Sequence, residues 1–362
     1  MTAPALHVVV PGALDQLTGG YVYDSRIVRG LRERGWTVDV HELPGRFPDV
    51  DDVAAGSLRN ALNALPSGAR VLVDGLAMGA LPGPVRAVAG RLSVLSLVHH
   101  PLADETGIGP ADVERYRGLE TEALGACIGV IVTSPFTAAR LETFGVPASR
   151  VRCVTPGVDR VRLARGPGSN APAQILCVAS LIPRKGQRML VEALARLRAL
   201  PWSCVCVGSE ARDPTYAARI RTMIEELRLT PRIRLAGELD RPSLDELYDT
   251  STFFVLPSYF EGYGMVLTEA LARGLPVVST TAGAIPRTVP SDAGILVSPG
   301  KPAALGEALS TMLDPVPRAR LTRAARAHAA GLLTWDHTVT EFERAILELA
   351  PVSGVPPDAA DV

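Results

Sequence analysis

The sequence predicts an α/β protein with two doubly wound halves, each a parallel sheet flanked by helices. Short apolar runs alternate with segments of helical periodicity along almost all of the 362 residues. This alternation stops once, near the middle of the chain, and then begins again. A chain of this length can also give each half its own hydrophobic core. Because strand–helix–strand alternation favours parallel pairing, helices are expected on both faces of each sheet.

The first half is predicted to be a Rossmann-like domain spanning residues 1–159. A strand at 6–10 is followed by a loop and by a helix at 21–34, in which Ile27, Val28 and Leu31 share one face. Gly35 then ends this helix as a C-terminal cap would. The other predicted strands of the first half are residues 37–40, 71–73, 94–98, 128–132 and 151–154.

The second half is predicted to be a Rossmann-like domain spanning residues 174–334. Residues 160–173 are rich in Arg, Gly, Pro and Ser without apolar periodicity, and they are interpreted as a linker. The predicted strands of the second half are residues 175–179, 204–207, 233–235, 253–256, 277–279 and 295–297. A final helix is predicted at 335–350, and the tail at 351–362 has few side chains to bury and is expected to be disordered.

The composition argues against a nucleic-acid-binding protein, a secreted protein and a membrane-spanning protein. The formal net charge is -1, so a nucleic-acid partner is not expected. The first ten residues lack a basic segment followed by an apolar run, and no stretch approaches the ~18 apolar residues of a membrane span. The five cysteines are odd in number and lack metal-ligand spacing, which indicates reduced thiols. These observations predict a cytoplasmic protein.

The strongest motif lies between a predicted strand and a helix at residues 257–278. Gly262 and Gly264 leave backbone amides uncovered just before the helix begins near Met265. Free N–H groups and the helix dipole favour an anion such as a diphosphate. Glu261 and Glu269 carry carboxylates that can accept hydrogen bonds from vicinal hydroxyls of a sugar or ribose. The structural alternative, a glycine-rich turn with two solvated glutamates, is disfavoured because the strand, the glycines and both carboxylates occur together.

A second strand-to-helix connection, at residues 178–186, contains adjacent basic residues. Lys185 would place a positive charge where a leaving diphosphate gains negative charge. Arg184 precedes it, and Ser180 lies at the start of the same connection. Taken alone, this segment would be better interpreted as a solvated Arg-Lys helix start.

The first half carries weaker signals at its strand ends. Gly19 and Gly20 precede the first helix and would let a ligand approach the backbone closely. His99 and His100 close the strand at 94–98, and strand alternation predicts that only one of them reaches a ligand, with His100 favoured. Ser134 ends another strand. For either histidine taken singly, capping a turn before Pro101 is the structural alternative.

These motifs together resemble the retaining glycosyltransferase family 4. The resemblance rests on Glu261 and Glu269, separated by seven residues, with the glycines between them, and it extends from about residue 19 to 343. It implies a GT-B fold, in which two Rossmann-like domains face each other across a cleft and the C-terminal helix crosses back to the N-terminal domain.

The resemblance also implies roles for individual residues in the second half. Glu261 and the backbone of the next three residues would hold the donor sugar, and Glu269 would hold the donor ribose. Lys185 would clamp the donor phosphates, and both Lys185 and Glu261 would act in catalysis. The implied donor-binding residues after Glu261 are Gly262, Tyr263, Gly264, Met265 and Val266, of which the last two offer amides to the diphosphate.

The chain departs from the family pattern at one basic position. The family has an arginine where Ser180 stands here, and whether Arg184 supplies the missing charge is left open. In the first half, Gly19 and Gly20 would lie against donor phosphate or acceptor. His99 or His100 would act at the sugar or the acceptor, and Ser134 would lie on the acceptor side.

The function predicted is retaining transfer of a hexosyl group from a nucleotide diphosphate sugar to an acceptor hydroxyl. No cofactor and no metal are expected, because the helix start and Lys185 would neutralise the diphosphate. The segment 47–65 contains Asp49, Asp51 and Asp52 against Arg59 alone, which disfavours binding to anionic membranes. The acceptor is therefore expected to be a soluble small molecule, while the donor base, the sugar and the oligomeric state are left open.

The sequence leaves three other functions open. A nucleotide-sugar 2-epimerase would use the same GT-B architecture for isomerisation. A non-catalytic nucleotide-sugar-binding protein would agree with the serine at position 180. A NAD-dependent dehydrogenase also has Rossmann-like halves, but the first strand is not followed by Gly-x-Gly-x-x-Gly, and the segment around Glu261 would have no role.

Overall fold

The structure is a computed structural model that describes residues 3–168 and 171–351. The chain divides into two compact units: unit 1 comprises residues up to 156 together with those from 335 onwards, and unit 2 comprises residues 157–334. Most of the predicted tail, residues 352–362, lies outside the described residues.

Unit 1 alternates strands and helices along the chain. Its strands are β1 (Ala5–Pro11), β2 (Thr37–Leu43), β3 (Arg70–Asp74), β4 (Ser93–Val98), β5 (Gly129–Val132) and β6 (Val151–Cys153). Its helices before residue 156 are α1 (Gly19–Glu33), α2 (Asp52–Ala64), α3 (Gly75–Met78), α4 (Pro82–Val88), α5 (Pro110–Gly125) and α6 (Pro135–Leu141), with short 3₁₀ turns at Leu102–Asp104, Glu142–Phe144 and Ala148–Arg150.

The six strands of unit 1 form one parallel sheet in the order β2-β1-β3-β4-β5-β6. Val8 lies opposite Val40 of β2, and Val9 lies opposite Val73 of β3. The chain adds β2 on one side of β1 and the later strands on the other, so the direction of winding reverses between β1 and β3. Ligands of open parallel sheets bind beyond the carboxyl ends of the strands at such a reversal.

Unit 2 repeats this alternation. Its strands are β7 (Ala173–Val178), β8 (Trp202–Val207), β9 (Ile233–Leu235), β10 (Phe253–Leu256), β11 (Val277–Thr280) and β12 (Gly294–Val297). Its helices are α7 (Gln187–Ala195), α8 (Pro214–Glu226), α9 (Arg241–Thr250), α10 (Met265–Ala272), α11 (Ile285–Thr288), α12 (Pro302–Leu313) and α13 (Pro315–Ala329), and a 3₁₀ turn covers Pro183–Lys185.

The sheet of unit 2 is parallel in the order β12-β11-β10-β7-β8-β9, and its winding reverses between β7 and β10. Alternate residues of each strand serve two separate cores. Ile175 and Val255 belong to the core with α7, α8 and α12, whereas Leu176 and Phe254 belong to the core with α10. The sheet is therefore covered on both faces, as near-continuous apolar strands require.

The last helix, α14 (Trp335–Leu349), packs on unit 1. The Tyr23 ring of α1 lies 6.1 Å from the Phe342 ring and 5.9 Å from the Trp335 ring, measured between centroids. Trp36 Nε1 donates to Glu343 Oε1 over 2.8 Å. Gly30 lies against Val339 so closely that a Cβ on Gly30 would overlap both methyl groups.

The α/β fold class predicted from the sequence is confirmed, and each of the twelve predicted strands is present among the described residues. The boundaries differ by a few residues at the ends. The predicted helix at 188–200 is shorter, since α7 ends at Ala195, and the predicted helix at 21–34 begins earlier, at Gly19. Glycine has a low intrinsic helix propensity, so the sequence does not indicate that α1 begins at Gly19.

The packing of α14 on α1 can be tested by filling the space at Gly30. Gly30→Ala should lower the free energy of unfolding by about 1–3 kcal/mol, because the methyl group overlaps the Val339 side chain. The measurement is urea unfolding followed by circular dichroism. Gly118 is the matched control, since it lies in α5 with open space around it and Gly118→Ala should be neutral or stabilising by up to about 1 kcal/mol. Equal or higher stability of Gly30→Ala would contradict the packing.

Candidate functional site

The candidate site of unit 2 lies where the winding of its sheet reverses. β7 and β10 pair in parallel, with Phe254 opposite Leu176, so their carboxyl ends are adjacent. The connection after β7 contains Lys185, and the connection after β10 contains Glu261. Two segments that are about 76 residues apart in the chain are thereby placed side by side. This is the position at which open parallel sheets bind ligands.

The two connections touch through their backbones. Gly186 has φ of +73°, and a Cβ there would collide with the carbonyl oxygen of Pro257. Tyr259 N donates to Arg184 O over 2.7 Å, which is a second backbone contact between the two connections. Only glycine permits both this conformation and this approach at position 186. The position of Lys185 relative to Glu261 is therefore set by the backbone.

Lys185 and Glu261 form a largely buried ion pair. Lys185 Nζ lies 2.7 Å from Glu261 Oε1, and Ser258 Oγ donates to the same oxygen over 2.6 Å. The side chains of Lys185 and Glu261 are 18% and 7% exposed. Arg184 Nη1 lies 4.0 Å from Glu261 Oε2 and donates to Phe260 O over 3.2 Å. Two cations and a hydroxyl thus surround one carboxylate.

The electrostatics keep Glu261 ionised. Burial alone would raise the pKa of its carboxyl, but the charges of Lys185 and Arg184 and the hydrogen bonds from Lys185 and Ser258 outweigh burial and lower that pKa. A buried carboxylate held in this way is a fixed negative charge that orients the Lys185 ammonium.

The connection after β11 packs against the backbone of Glu261. Gly283 has φ of +57° and lies against the backbone of Glu261, while Ala284 N donates to Glu261 O over 2.9 Å. Thr280 Oγ1 donates to Ser258 O over 2.6 Å, and Thr288 Oγ1 donates to Tyr263 O over 2.8 Å. The turn from Ser258 to Gly264 is therefore held by hydrogen bonds from residues 280–288.

Helix α10 begins directly after this turn. Gly264, its N-cap, has φ of +85°, and among the described residues the N-terminus receives no side-chain cap. Met265 and Val266 are half-buried, whereas Gly262 and Gly264 are buried. Backbone amides at an uncapped helix start favour anions, both through direct hydrogen bonds and through the helix dipole.

Glu269 lies one to two turns further along α10 in a second polar group. Its Oε2 accepts a hydrogen bond of 3.2 Å from Tyr248 OH. Burial raises the pKa of Glu269, opposed by the charges of Arg241 and Arg273. Arg273 in turn pairs with Asp245. Glu269 is therefore an oriented acceptor within unit 2.

Ser180 is placed by its backbone. Its carbonyl oxygen accepts from Ile182 N over 3.0 Å and from Gln187 Nε2 over 2.9 Å. Arg184 lies beside Lys185 and Glu261. The structure thus brings together Lys185, Arg184, Glu261 and the start of α10.

The predicted residues of unit 1 lie at the carboxyl end of its own sheet. Gly19 is the first residue of α1, and Gly20 lies under the His99 ring, where a Cβ would come within 3.1 Å of Cδ2. His100 Nε2 lies 3.4 Å from Glu105 Oε2. Ser134 is buried and caps α6, accepting from Thr137 N over 3.0 Å. Its hydroxyl therefore acts as a helix cap, and its contact with an acceptor stays a prediction.

Two carboxylates of unit 1 were missed from the sequence. His99 Nε2 lies 3.1 Å from Asp24 Oδ1 and 3.6 Å from Asp74 Oδ2, and both aspartates are buried. Asp24 could have been noticed because it shares the apolar face of Ile27, Val28 and Leu31 on α1. Asp74 could have been noticed because it ends a buried strand. Ser258, buried beside Glu261, was missed as well.

Comparison with known proteins identifies the segment around Lys185 and Glu261. Residues 172–315 match the family described as glycosyl transferases group 1. They form a glycosyl transferases group 1 domain. This group 1 domain contains Ser180, Arg184, Lys185 and the whole segment from Glu261 to Glu269, so the suspected kinship with glycosyltransferases is confirmed.

The curated relatives are similar over part of their length. D-inositol 3-phosphate glycosyltransferase of Acidothermus cellulolyticus is 30% identical over 284 residues, which are 72% of this chain and 63% of that protein. Glycogen synthase of Mycobacterium tuberculosis is 30% identical over 205 residues, 55% of this chain and 49% of that protein. The chain thus spans less than two thirds of the length of the first relative and about half of the length of the second.

Solved structures share the fold over nearly the whole chain. Sucrose-phosphate synthase of Thermosynechococcus elongatus has a TM-score of 0.80 at 20% identity, covering 96% of this chain and 99% of that one. HepE of Anabaena in complex with UDP-glucose has a TM-score of 0.76 at 17% identity, covering 96% and 100%. The group 1 domain therefore belongs to a chain with the predicted GT-B fold.

The Lys185–Glu261 pair gives a prediction for pH. Since the pKa of Glu261 is lowered from 4.5 in the folded state, its stabilisation is complete above pH 4.5 and is lost as the pH falls through the folded-state pKa. Glu261→Gln should therefore lower the free energy of unfolding by about 2–4 kcal/mol at pH 7, because Lys185 loses its carboxylate. This difference from wild type should shrink below pH 4.5.

The measurement is urea unfolding of both proteins between pH 7 and pH 3.5. Glu192→Gln is the control, because Glu192 pairs with the exposed Arg188 and should contribute under about 0.5 kcal/mol at either pH. A difference between Glu261→Gln and wild type that stays constant down to pH 3.5 would contradict the buried ion pair.

Proposed function

We propose that the protein is a glycosyltransferase. Its group 1 domain binds a nucleotide diphosphate sugar, and the sugar is transferred from this donor to an acceptor hydroxyl. The observation that carries this proposal is the Lys185–Glu261 pair, held at the reversal of the unit 2 sheet beside the uncapped start of α10. The cation and the helix start suit the diphosphate of the donor, and the oriented carboxylate suits the hydroxyls of its sugar.

The diphosphate is assigned to the start of α10 and to Lys185. As the bond between the sugar and the phosphate breaks, negative charge develops on the leaving oxygen, and preorganised donors stabilise that charge. The amides of Met265 and Val266 and the Lys185 ammonium are such donors, because Gly264 opens the helix and Glu261 orients the ammonium. Arg184 is proposed as the second cation.

The sugar and the ribose are assigned to the two glutamates. Glu261, with the backbone of Gly262, Tyr263 and Gly264, is proposed to hold the hydroxyls of the transferred sugar. Glu269 is proposed to accept from the ribose hydroxyls, since Tyr248 holds one of its oxygens in place. Carboxylates oriented in this way select a vicinal diol by geometry.

The donor is proposed to carry uridine, and the acceptor to be a soluble small molecule. The structurally similar HepE is in complex with UDP-glucose, and a relative is named D-inositol 3-phosphate glycosyltransferase. Among the described residues, none of the helices combines the length and the apolarity that crossing a bilayer demands. Action in the cytoplasm, retention at the anomeric carbon and independence of metal ions belong to the same proposal.

Binding of the diphosphate can be tested without turnover. Lys185→Met should weaken UDP binding about 10- to 100-fold, measured by isothermal titration calorimetry, because a charge-assisted contact of about 1.5–3 kcal/mol is lost. Arg188→Met is the matched control, since Arg188 starts the same helix region but is exposed and pairs with Glu192. Melting curves of both variants without nucleotide establish that they fold. UDP, GDP and ADP binding equally weakly to wild type would contradict the proposed site.

The reaction itself is identified by its products. With UDP-glucose and a small polyol acceptor, proton NMR should show an α-linked product and released UDP, and the rate should be unchanged by EDTA. Release of a 2-epimer without any acceptor would instead indicate an epimerase. Tight UDP-glucose binding without hydrolysis or transfer would indicate a binding protein. A β-linked product would contradict retention.

A further inference from the structure

Two histidines of unit 1 meet across the first two strands of its sheet, apart from the residues assigned to the donor or the acceptor. His7 lies on β1, and His41 lies on β2, the edge strand of the sheet. In the register of this parallel pair, His7 lies opposite Asp39, and Val9 lies opposite His41. Since side chains two residues apart on a strand point to the same face, His7, Asp39 and His41 share one face of the sheet.

The ring nitrogens of the two histidines face each other. His7 Nδ1 lies 3.3 Å from His41 Nε2, and the ring centroids are 5.4 Å apart. Asp39 Oδ2 lies 3.6 Å from the same nitrogen of His7. In a tetrahedral zinc site, with bonds of about 2.0–2.1 Å from zinc to nitrogen, two ligand nitrogens are separated by about 3.3–3.4 Å. The two histidine nitrogens therefore already have the separation of two ligands of one ion.

The surroundings of the pair allow an ion to enter and the imidazoles to bind it. The His7 and Asp39 side chains are 17% and 59% exposed, so the site opens to solvent and the Asp39 carboxylate can turn towards an ion. Burial and the neighbouring His7 lower the pKa of His41, and the charge of Asp39 only partly opposes them. His41 is therefore neutral at pH 7, which is the form of imidazole that binds metals.

We propose that His7 Nδ1 and His41 Nε2 bind a divalent transition-metal ion of the first row, with the Asp39 carboxylate as a third ligand. Without metal, one of the two facing nitrogens carries the proton of their hydrogen bond. The ion replaces that proton, which moves to the other nitrogen of the same ring. Imidazole suits Zn²⁺, Cu²⁺ and Ni²⁺, whereas Mg²⁺ and Ca²⁺ prefer oxygen ligands.

The ion acts on the pairing of the edge strand. It would join β2 to β1 by side chains in addition to the backbone ladder, which fixes the register of a strand that has a neighbour on one side only. The proposed sugar transfer uses none of the three ligands, so the metal site stands or falls independently of it. Removal of the ion by EDTA therefore affects the strand pair and not the transfer.

Binding is tested by isothermal titration calorimetry of the whole protein with ZnCl₂ at pH 7.5, in the absence of a polyhistidine tag. His7→Gln and His41→Gln should each weaken Zn²⁺ binding at least about 10-fold, since even the loss of an outer partner of a metal ligand has an effect of that size. Asp39→Asn should weaken it in the same direction. Melting curves without metal establish that the variants fold.

Two histidine variants serve as controls. His328→Gln should leave Zn²⁺ binding unchanged, because His328 pairs with Asp292 in unit 2. His99→Gln tests the other group of possible ligands, in which one atom each of Asp24, Asp74 and His99 lie within 4.8 Å of one another. Zn²⁺ binding that is lost in His99→Gln and kept in His7→Gln would overturn the proposal. Wild-type affinity in both His7→Gln and His41→Gln would overturn it as well.

A measurement on wild type alone keeps the proposal falsifiable if a variant fails to fold. In long-range proton–nitrogen NMR, with the histidines assigned through the backbone, Zn²⁺ should shift the signals of His7 Nδ1 and His41 Nε2. EDTA should reverse the shift, and Mg²⁺ should cause none. If saturating Zn²⁺ left both nitrogens unchanged, or bound His7 through Nε2, the proposed site would be wrong.

Discussion

The architecture of the unit 2 site depends on one close approach, between Gly186 and the carbonyl of Pro257. A side chain at position 186 would collide with that carbonyl, and its φ of +73° disfavours any other residue. This contact joins the connection after β7 to the connection after β10, and the Lys185–Glu261 pair lies beside it. A flexible lysine and a buried glutamate are therefore held together by rigid backbone, which is the preorganisation that stabilisation of a developing charge requires.

The two units place their polar groups by the same topological rule. In each sheet the winding reverses once, between β1 and β3 in unit 1 and between β7 and β10 in unit 2. The reversal leaves the carboxyl ends of adjacent strands without a connection packed over both of them, so polar side chains can collect there. Asp24, on the helix that follows β1, and Asp74, at the end of β3, mark this position in unit 1, and Lys185 and Glu261 mark it in unit 2. Similar sheets thus carry chemically different clusters, one rich in carboxylate and one rich in cations.

Much of the fold and part of the site could be predicted from the sequence. Strands such as 233–235 and 253–256 were located because buried parallel strands are short, continuous apolar runs bounded by turn residues. The segment from Glu261 to Glu269 was found because its glycines, carboxylates and helix start are contiguous. The Lys185–Glu261 pair and the Asp24–Asp74–His99 cluster join residues distant in the chain, so their pairing depends on strand order, which the sequence alone does not specify. Ser134 shows the converse limit, because a capping serine and a ligand-binding serine look alike in sequence.

The charge balance around Glu261 bears on the serine at position 180. Lys185 and Arg184 together carry two positive charges against the single charge of Glu261, since the lowered pKa of Glu261 keeps it ionised. The proposed diphosphate would meet a surplus of one positive charge, to which the amides at the start of α10 add. An arginine at position 180 would increase the surplus of positive charge further. In this chain the second cation is Arg184, which lies on the segment whose backbone Gly186 fixes. The Arg184 guanidinium donates to the carbonyl of Phe260, which precedes Glu261, so this second cation is held beside the carboxylate.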